Sequence, residues 1–554
     1  MGRDKCRTVI VGGGIAGLTS AAYLSRGGQK VVLFEKNKEC GGLVNSFVKD
    51  GFHFDAGVRA LENAGIVFPM LKDLGIRLEA VRSRVSLGIE NEILHIENRQ
   101  SVEDYRKLLV KLYPQCDADI DAVIRIIRKI MKYMDVLYGI ENPVFKDLKN
   151  DAKFIMKTLL PWLPKFLFTI GKINRMNMPI EEYLDAVVKD RALKDIVSQH
   201  FFKNTPAFFA LSYFSLYLDY FYPKGGVGTL ADVLKDKIIE LGGTIRAGTT
   251  ITGVHADACF VEDQDGIRYP YDSLIWAADL KTLYRIMRTK GLPPAIGAKV
   301  MAMKDKVLQN RGGDSVFSLF LEVDEPLETF ERISNGHFFY TPSKAGLGDT
   351  LWAELDDLLT NVEGAGKSRI LAWLDKYTRL NTYEISIPGL KDPDLAPPGK
   401  TGLTVSLLAE YNLFKKVEDA GWLDEFTACL EERIIKVISG SIYPMLKNRI
   451  IRYFSFSPLG IEKRIGSSEG AITGWSFIKP SPVVNRIQYS GRSVLTPIPS
   501  IFQAGQWAYS PAGVPMSILT GKLAADKVLK DSGSFISTKH KKSISIYNRR
   551  ELGL

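Results

Sequence analysis

The chain has 554 residues, 45% of them hydrophobic and 25% charged, with a formal net charge of +10. That length is too great for one compact core, so two or more structural domains are expected, and the ordinary apolar content argues against a disordered or fibrous chain. Five scattered cysteines (Cys6, Cys40, Cys116, Cys259, Cys429) without a CxxC pair, and six histidines without ligand spacing, argue against a disulfide scaffold and a metal site.

The N-terminal Met-Gly-Arg-Asp-Lys-Cys runs directly into an apolar strand and leaves no room for the core of a signal peptide. A cytoplasmic location is therefore expected. From Arg7 to Glu35 the order is short apolar strand, glycine loop, Ala- and Leu-rich helix and second strand, which reads as one βαβ unit. The loop Gly12-Gly13-Gly14-Ile15-Ala16-Gly17 supplies GxGxxG between the strand Thr8–Val11 and the helix Leu18–Ser25. Gly12 permits the tight turn, Gly14 lets the backbone approach a pyrophosphate, and Gly17 lets the helix pack on the strand. Glu35 ends the second strand 18 residues after Gly17, where a carboxylate accepts hydrogen bonds from both ribose hydroxyls.

Helical periodicity follows in Val102–Tyr113 and Ile120–Leu137, within a helical insertion from about 101 to 224. Two segments there are candidates for lipid or substrate contact. Lys153–Ile173 interleaves Phe154, Leu160, Trp162, Leu163, Leu167 and Phe168 with Lys153, Lys157, Lys165 and Lys172. It has no uncharged run long enough to span a bilayer, and suits either a helix lying in the membrane interface or one packed on its own domain with snorkelling lysines. Pro206–Pro223 carries eight Phe and Tyr residues, which form core or line an apolar cavity.

The βαβ rhythm resumes with the helix Thr229–Leu241 and the strand Ser273–Ala278. A mixed region with strands Val316–Val323 and Leu403–Leu408 and a helix Trp422–Ser439 follows, and Ser500–Ala504 with the helix Pro515–Leu529 closes the fold. The basic stretch from Asp531, with Lys539, Lys541, Lys542, Arg549 and Arg550, is expected to be a linker and flexible tail, either solvated or leaning on an anionic membrane. Nothing in it resembles a nucleic-acid-binding motif, and no nucleic acid partner is expected.

The expected fold is α/β. A discontinuous Rossmann-type FAD-binding domain occupies 1–100, 225–290 and 495–530, with the helical insertion at 101–224, a mixed α+β substrate domain at 291–494 and the tail at 531–554.

Several motifs choose FAD over NAD. Glu35-Lys36 through Gly41-Gly42, and Gly51 through Asp55-Ala56-Gly57, resemble the N-terminal signature of the amine-oxidase and phytoene-desaturase superfamily of flavoproteins. Tyr222-Pro223-Lys224-Gly225-Gly226-Val227-Gly228 resembles the YPxGG element of carotenoid desaturases, carotenoid isomerases and retinol saturases. Thr249–Val254 looks like the strand whose backbone meets adenine, at Ile251, and Ala277-Ala278-Asp279 like the turn beside the cofactor. Phe502–Trp507 and Pro511–Pro515 are similar to the terminal strand, loop and helix that face the flavin pyrimidine, with Gln506 where most relatives carry an acid.

The resemblance implies FAD held by Gly12, Gly14, Ile15, Ala16, Gly17, Glu35, Lys36, Gly41, Gly42, Gly57, Val58, Ile251, Ala278, Gly505, Gln506, Gly513, Val514 and Pro515. The implied activity is oxidoreduction at carbon–carbon bonds of a long apolar isoprenoid: desaturation, saturation or isomerisation. Arg59 and Tyr222 are positional candidates for an acid or base. A flavin amine or porphyrinogen oxidase, and a flavin-free prenyl-binding protein like the Rab GDP-dissociation inhibitors, are the alternatives. No second GxGxxG marks a separate NAD(P)H domain, so the electron partner stays open.

Overall fold

A computed structural model of the protein describes residues 7–360 and 366–538. Five strands form a wholly parallel sheet in the order Thr244–Arg246, Lys30–Phe34, Arg7–Val11, Ser273–Trp276 and Ile501–Gln503. The run Arg7–Val11 sits in the middle of this sheet, and its Val9 and Ile10 are buried on opposite faces. Such burial is what an uninterrupted apolar strand in a parallel sheet needs. The segments of this sheet are separated by hundreds of residues, so the discontinuous dinucleotide-binding layer is present.

The helix Ile15–Arg26 packs between this sheet and the closing helix Val514–Thr538. Glycine makes that approach possible at two points. A Cβ at Gly17 would collide with the carbonyl of Gly12, and one at Gly521 with the carbonyl of Ala16. Ser20 Oγ donates to the carbonyl of Gly521 at 2.8 Å, tying the two helices together. The closing helix runs on through Asp531 to Thr538, where the sequence predicts a linker. Extending a formed helix costs little even through Ser532 and Gly533, and Ser532 Oγ donates back to Val528 O at 2.7 Å. Lys539 and the basic residues after it lie outside the described residues.

The second layer is a seven-stranded sheet in the order Ile450–Phe456, Ser315–Val323, Thr401–Ala409, Tyr383–Ser386, His337–Thr341, Val85–Ile89 and Glu92–Ile96. The last two strands fall inside 1–100, assigned above to the FAD-binding domain, and the structure places them in this other sheet. Val85–Ile89 is buried at every residue and pairs in parallel with His337–Thr341. Gly88 lets the Phe338 ring sit against it, since a Cβ there would fall 2.7 Å from that ring.

Strand alternation gives this sheet two unlike faces. One carries Phe317, Leu319, Leu321, Phe338, Tyr340, Tyr383, Ile385, Leu403, Val405 and Leu407, packed with Leu351, Trp373, Leu430 and Ile434 from the covering helices. Each such side chain contributes about 1.5–3 kcal/mol by leaving water. The other face carries Ser318, His337, Phe339, Glu384, Ser386, Thr404 and Ser406. That polar face looks toward the dinucleotide-binding layer.

Helices occupy most of Ser101–Asp219, around a core containing Tyr105, Ile120, Ile124, Ile127, Tyr213, Phe214 and Tyr217. Among the described residues no helix is long and apolar enough to cross a membrane.

Candidate functional site

One cavity joins the ends of the parallel strands to the polar face of the seven-stranded sheet. Its walls include Gly12, Gly14, Ile15, Ala16, Glu35, Gly41, Gly42, Gly57, Val58, Ala278, Gly505, Gln506, Gly513, Val514 and Pro515. These stand at the carboxyl ends of the strands, where open α/β sheets bind ligands. Gly12 has φ +106°, and a Cβ there would meet the Ala277 carbonyl at 2.7 Å. Gly14 has open space where its Cβ would point, so a ligand can approach its backbone. Glu35 accepts from Gly13 N at 2.7 Å and from Asn37 N at 2.8 Å, which fixes its carboxylate at the crevice. The closing helix begins at Val514 with its N-terminus on the cavity, presenting free N–H groups to negative charge. This cradle fits a dinucleotide with a flavin.

Three predicted cofactor contacts stand back from the cavity wall. Gly17 serves helix packing, Lys36 Nζ donates to Lys463 O at 3.1 Å, and Ile251 is buried in a cluster with Val9, Val11 and Phe34. Gln506 lines the wall with its Nε2 3.4 Å from Ser467 Oγ and Ala471 O. Trp507 packs edge-on against Trp475, whose Nε1 donates to the Trp507 carbonyl at 3.0 Å.

The Asp55-Ala56-Gly57 and YPKGG motifs close on each other. Asp55 is buried, and its Oδ2 accepts from the Tyr222 hydroxyl at 2.8 Å. Its Oδ1 accepts from Ser46 Oγ at 2.7 Å and from Val227 N at 3.2 Å. Ser46 Oγ also accepts from Gly228 N at 3.0 Å. Burial and the Asp55 carboxylate push the Tyr222 hydroxyl above its ordinary pKa, so it remains a donor. Tyr222 does not line the cavity; Arg59 does.

Arg59 is buried, donates to the Asp55 carbonyl, and reaches Ser318 Oγ and Ser406 Oγ at 3.1 Å each. Lys391 is buried beside it, donating to the Arg59 carbonyl at 2.7 Å and to Ser386 Oγ at 2.8 Å above the Tyr222 ring. Burial pulls Lys391 down to about 8 against the attraction of Asp55 and Glu384.

Three side chains of this wall escape sequence reasoning, Glu62, His337 and Glu384, as does Lys391 behind it. His337 Nε2 lies 2.9 Å from Glu384 Oε1, and its ring stacks on Tyr220 at 5.4 Å and Phe339 at 4.9 Å. Burial lowers the His337 pKa, so the neutral ring donates to an ionised Glu384. Burial alone would raise Glu384, but the His337 hydrogen bond and the fields of Arg59 and Lys391 outweigh it and hold the carboxyl below its usual range. Glu62 moves the opposite way: burial, and secondarily Asp219, push it up to about 8. The polar alternation of Glu384 and Ser386 with Tyr383 and Ile385 is the period-two signal that could have marked this face. Phe201, Phe202, Phe209, Tyr217, Tyr220 and Phe339 form an aromatic stretch of the wall, with Gln199, His200 and Thr382 among them. Part of the aromatic stretch Pro206–Pro223 thus lines the cavity, while Tyr213 and Phe214 are core.

The helical segment Ala152–Ile173 leaves a stripe uncovered. Met156, Leu160, Leu163 and Leu167 follow helical spacing and are 65%, 50%, 42% and 61% exposed, with Phe168 at 68%. No acid lies between Asp151 and Glu181 to offset Lys153, Lys157, Lys165, Lys172 and Arg175.

Comparison with known proteins agrees with this architecture. The family model for flavin containing amine oxidoreductase matches residues 15–529. A 4,4'-diapophytoene desaturase (4,4'-diaponeurosporene-forming) of Staphylococcus aureus is 21% identical over 552 residues, covering 95% of this chain and 99% of that protein. Among solved structures, wild-type putrescine oxidase bound to putrescine superposes with a TM-score of 0.55 at 13% identity, covering 95% of this chain and 99% of that one. An Exiguobacterium sp. 255-15 protein assigned as a protoporphyrinogen oxidase gives 0.56 at 15% identity, covering 96% and 100%. The chain belongs to the flavin-containing amine oxidoreductase family, and it is an FAD-dependent oxidoreductase.

Glu62 has a consequence for stability. The unfolded chain releases this proton near 4.5, whereas the folded protein holds it up to about 8. Between those values the folded state binds more protons, so stability falls as pH rises. Melting temperatures of wild type and Glu62→Gln, measured from pH 5 to 8, are expected to diverge, the variant losing less on the way up; parallel profiles would refute the shift.

Proposed function

We propose that this family member catalyses FAD-dependent oxidoreduction at carbon–carbon bonds of a long apolar isoprenoid, such as a carotenoid or retinoid. The observation that carries the reading is the aromatic wall of Phe201, Phe202, Phe209, Tyr217 and Phe339, continuous with the flavin crevice. The end-to-end similarity to a diapophytoene desaturase supports it.

In this reading the Gly12–Gly17 loop and Glu35 take the pyrophosphate and ribose, and Lys36 and Ile251 back the adenine end. Gly41, Gly42, Gly57, Val58 and Ala278 lie along the cofactor, while Gly505, Gln506 and Gly513–Pro515 meet the flavin ring. Bound flavin supplies two-electron hydride chemistry. The chain's own residues orient the polyene, keep water from the reacting carbons and place the N-terminal dipole of the closing helix where negative charge develops. Of the two positional candidates Arg59 is the one that faces the cavity, where it contributes a fixed positive charge. Tyr222 acts through Asp55 as a positioning residue.

A second reading, oxidation of an amine, draws on Glu384, an ionised carboxylate that could hold a cation in the same cavity. Anaerobic mixing separates the two. Oxidised and dithionite-reduced protein are incubated with phytoene, lycopene or retinol in detergent, with putrescine as the competitor. Flavin absorbance and polyene turnover in one of the two redox states are expected, and the reacting state fixes the direction. Flavin reduction by the amine with every polyene unchanged would overturn the proposal.

We also propose that the Met156–Leu167 stripe seats on an anionic membrane surface, from which an apolar substrate would be drawn. Each nearby lysine contributes about 1 kcal/mol at such a surface. Wild type is expected to co-sediment with phosphatidylglycerol-containing vesicles, less so at high salt, and Leu160→Glu/Leu167→Glu to stay in the supernatant. Equal sedimentation of both, or of neither, would contradict this contact.

A further inference from the structure

Removing two hydrogens from adjacent carbons, or adding them, needs two destinations. The flavin provides for the hydride, and the second hydrogen moves as a proton, which some group of the protein must take or give. The polar face of the seven-stranded sheet contains that group.

Glu384 sits at the centre of the sheet, opposite Phe339 on one neighbouring strand and Ser406 on the other. A carboxylate in such a place is costly unless its surroundings are built for it. Here they are. His337 holds Oε1 at 2.9 Å, and among the described residues Oε2 has no hydrogen-bond partner. The side chain keeps 34% of its accessible surface although protein surrounds it, because that surface opens on the cavity. His337, by contrast, is 2% exposed and clamped between Tyr220 and Phe339, so it cannot swing toward a substrate and serves to aim its partner. The cations Arg59 and Lys391 stand beyond, each engaged elsewhere: Arg59 with Ser318 and Ser406, Lys391 with Ser386 and the Arg59 carbonyl.

We infer that Glu384, aimed by His337, is the group that exchanges the substrate proton. The assignment rests on the carbon–carbon reading above. In the oxidising direction a C–H bond next to the carbon that gives up its hydride breaks heterolytically. Its electron pair stays with carbon as the new π bond, and its proton passes to Glu384 Oε2, leaving a neutral carboxylic acid. In the reducing direction that acid returns the proton as the π bond is consumed.

A second carboxyl group of the cavity, Glu62, fits this division. Glu62 is protonated at neutral pH and cannot accept, whereas Glu384 is ionised and can. Two carboxyl groups held apart in this way mark separate acid and base roles. Arg59 always carries its protons, which suits it to steady the Glu384 anion rather than to trade protons with substrate.

The test follows flavin bleaching by the reactive polyene in a single anaerobic turnover, across pH, in wild type, Glu384→Gln, Glu384→Asp and His337→Asn. Flavin content and spectrum are measured alongside. Glu384→Gln is expected to keep its flavin and lose about 100-fold or more in rate, within the range for a general base. Glu384→Asp should recover part of that loss. His337→Asn removes the hydrogen bond that keeps Glu384 low, so the acidic limb of its rate profile should move to higher pH. An infrared difference spectrum should show a buried carboxyl group gaining a proton in wild type and not in Glu384→Gln.

Bleaching of Glu384→Gln within threefold of wild type, or an acidic limb unmoved in His337→Asn, would overturn the assignment and leave the polyene reading standing. A wild type bleached only by amines removes the polyene reading, and with it this assignment. A wild type inert to both substrate classes overturns both.

Discussion

The buried Asp55 carboxylate is the contact on which the rest of the site depends. It joins two pieces of chain far apart in sequence: the hairpin that carries Ser46 and runs on into the turn at Gly57, and the YPKGG loop with Tyr222 and Val227. A hydrogen bond to a charged group typically contributes about 1.5–3 kcal/mol, so these pieces do not come apart independently. Arg59 extends the junction, linking the Asp55 carbonyl to Ser318 and Ser406 on the seven-stranded sheet. Through two side chains, the dinucleotide-binding layer is tied to the sheet that closes the cavity.

That sheet does two jobs because its strands alternate. Its apolar face forms a large core with the covering helices, which stabilises the sheet and leaves the other face free for polar residues. His337, Glu384 and Ser406 would be poor core residues, and they lie where the flavin crevice and the aromatic wall meet. The cavity therefore combines an aromatic wall with the charged pair of Arg59 and Glu384 at the polar face of this sheet.

The parts legible in the sequence are those where backbone geometry demands a residue type. Gly12, with its positive φ, Gly14, with open space before it, and Glu35, bound to the loop's own N–H groups, can be read in order along one short stretch. Long helices such as Asp117–Tyr138 are likewise visible from their periodicity. The YPKGG element was legible as a signature, yet its physical job, clasping Asp55 and Ser46, could not be seen without the fold. Glu384 and His337 were missed because each is one polar residue in a short strand, and their pairing spans 47 positions. Val85–Ile96 was misplaced for a related reason, since an apolar strand does not declare which sheet it will join. Gly521 shows the same limit: it reads as an ordinary helical residue until the carbonyl of Ala16 is found against it.

The most direct measurement is a double-mutant cycle between Asp55→Asn and Tyr222→Phe, read on unfolding free energy and on flavin occupancy of the purified protein. If the clasp organises the site, the two changes will couple by about 1–3 kcal/mol, as residues sharing a buried hydrogen bond do, and each will lower flavin occupancy. Additive stability effects, with full flavin occupancy in both single variants, would contradict the account.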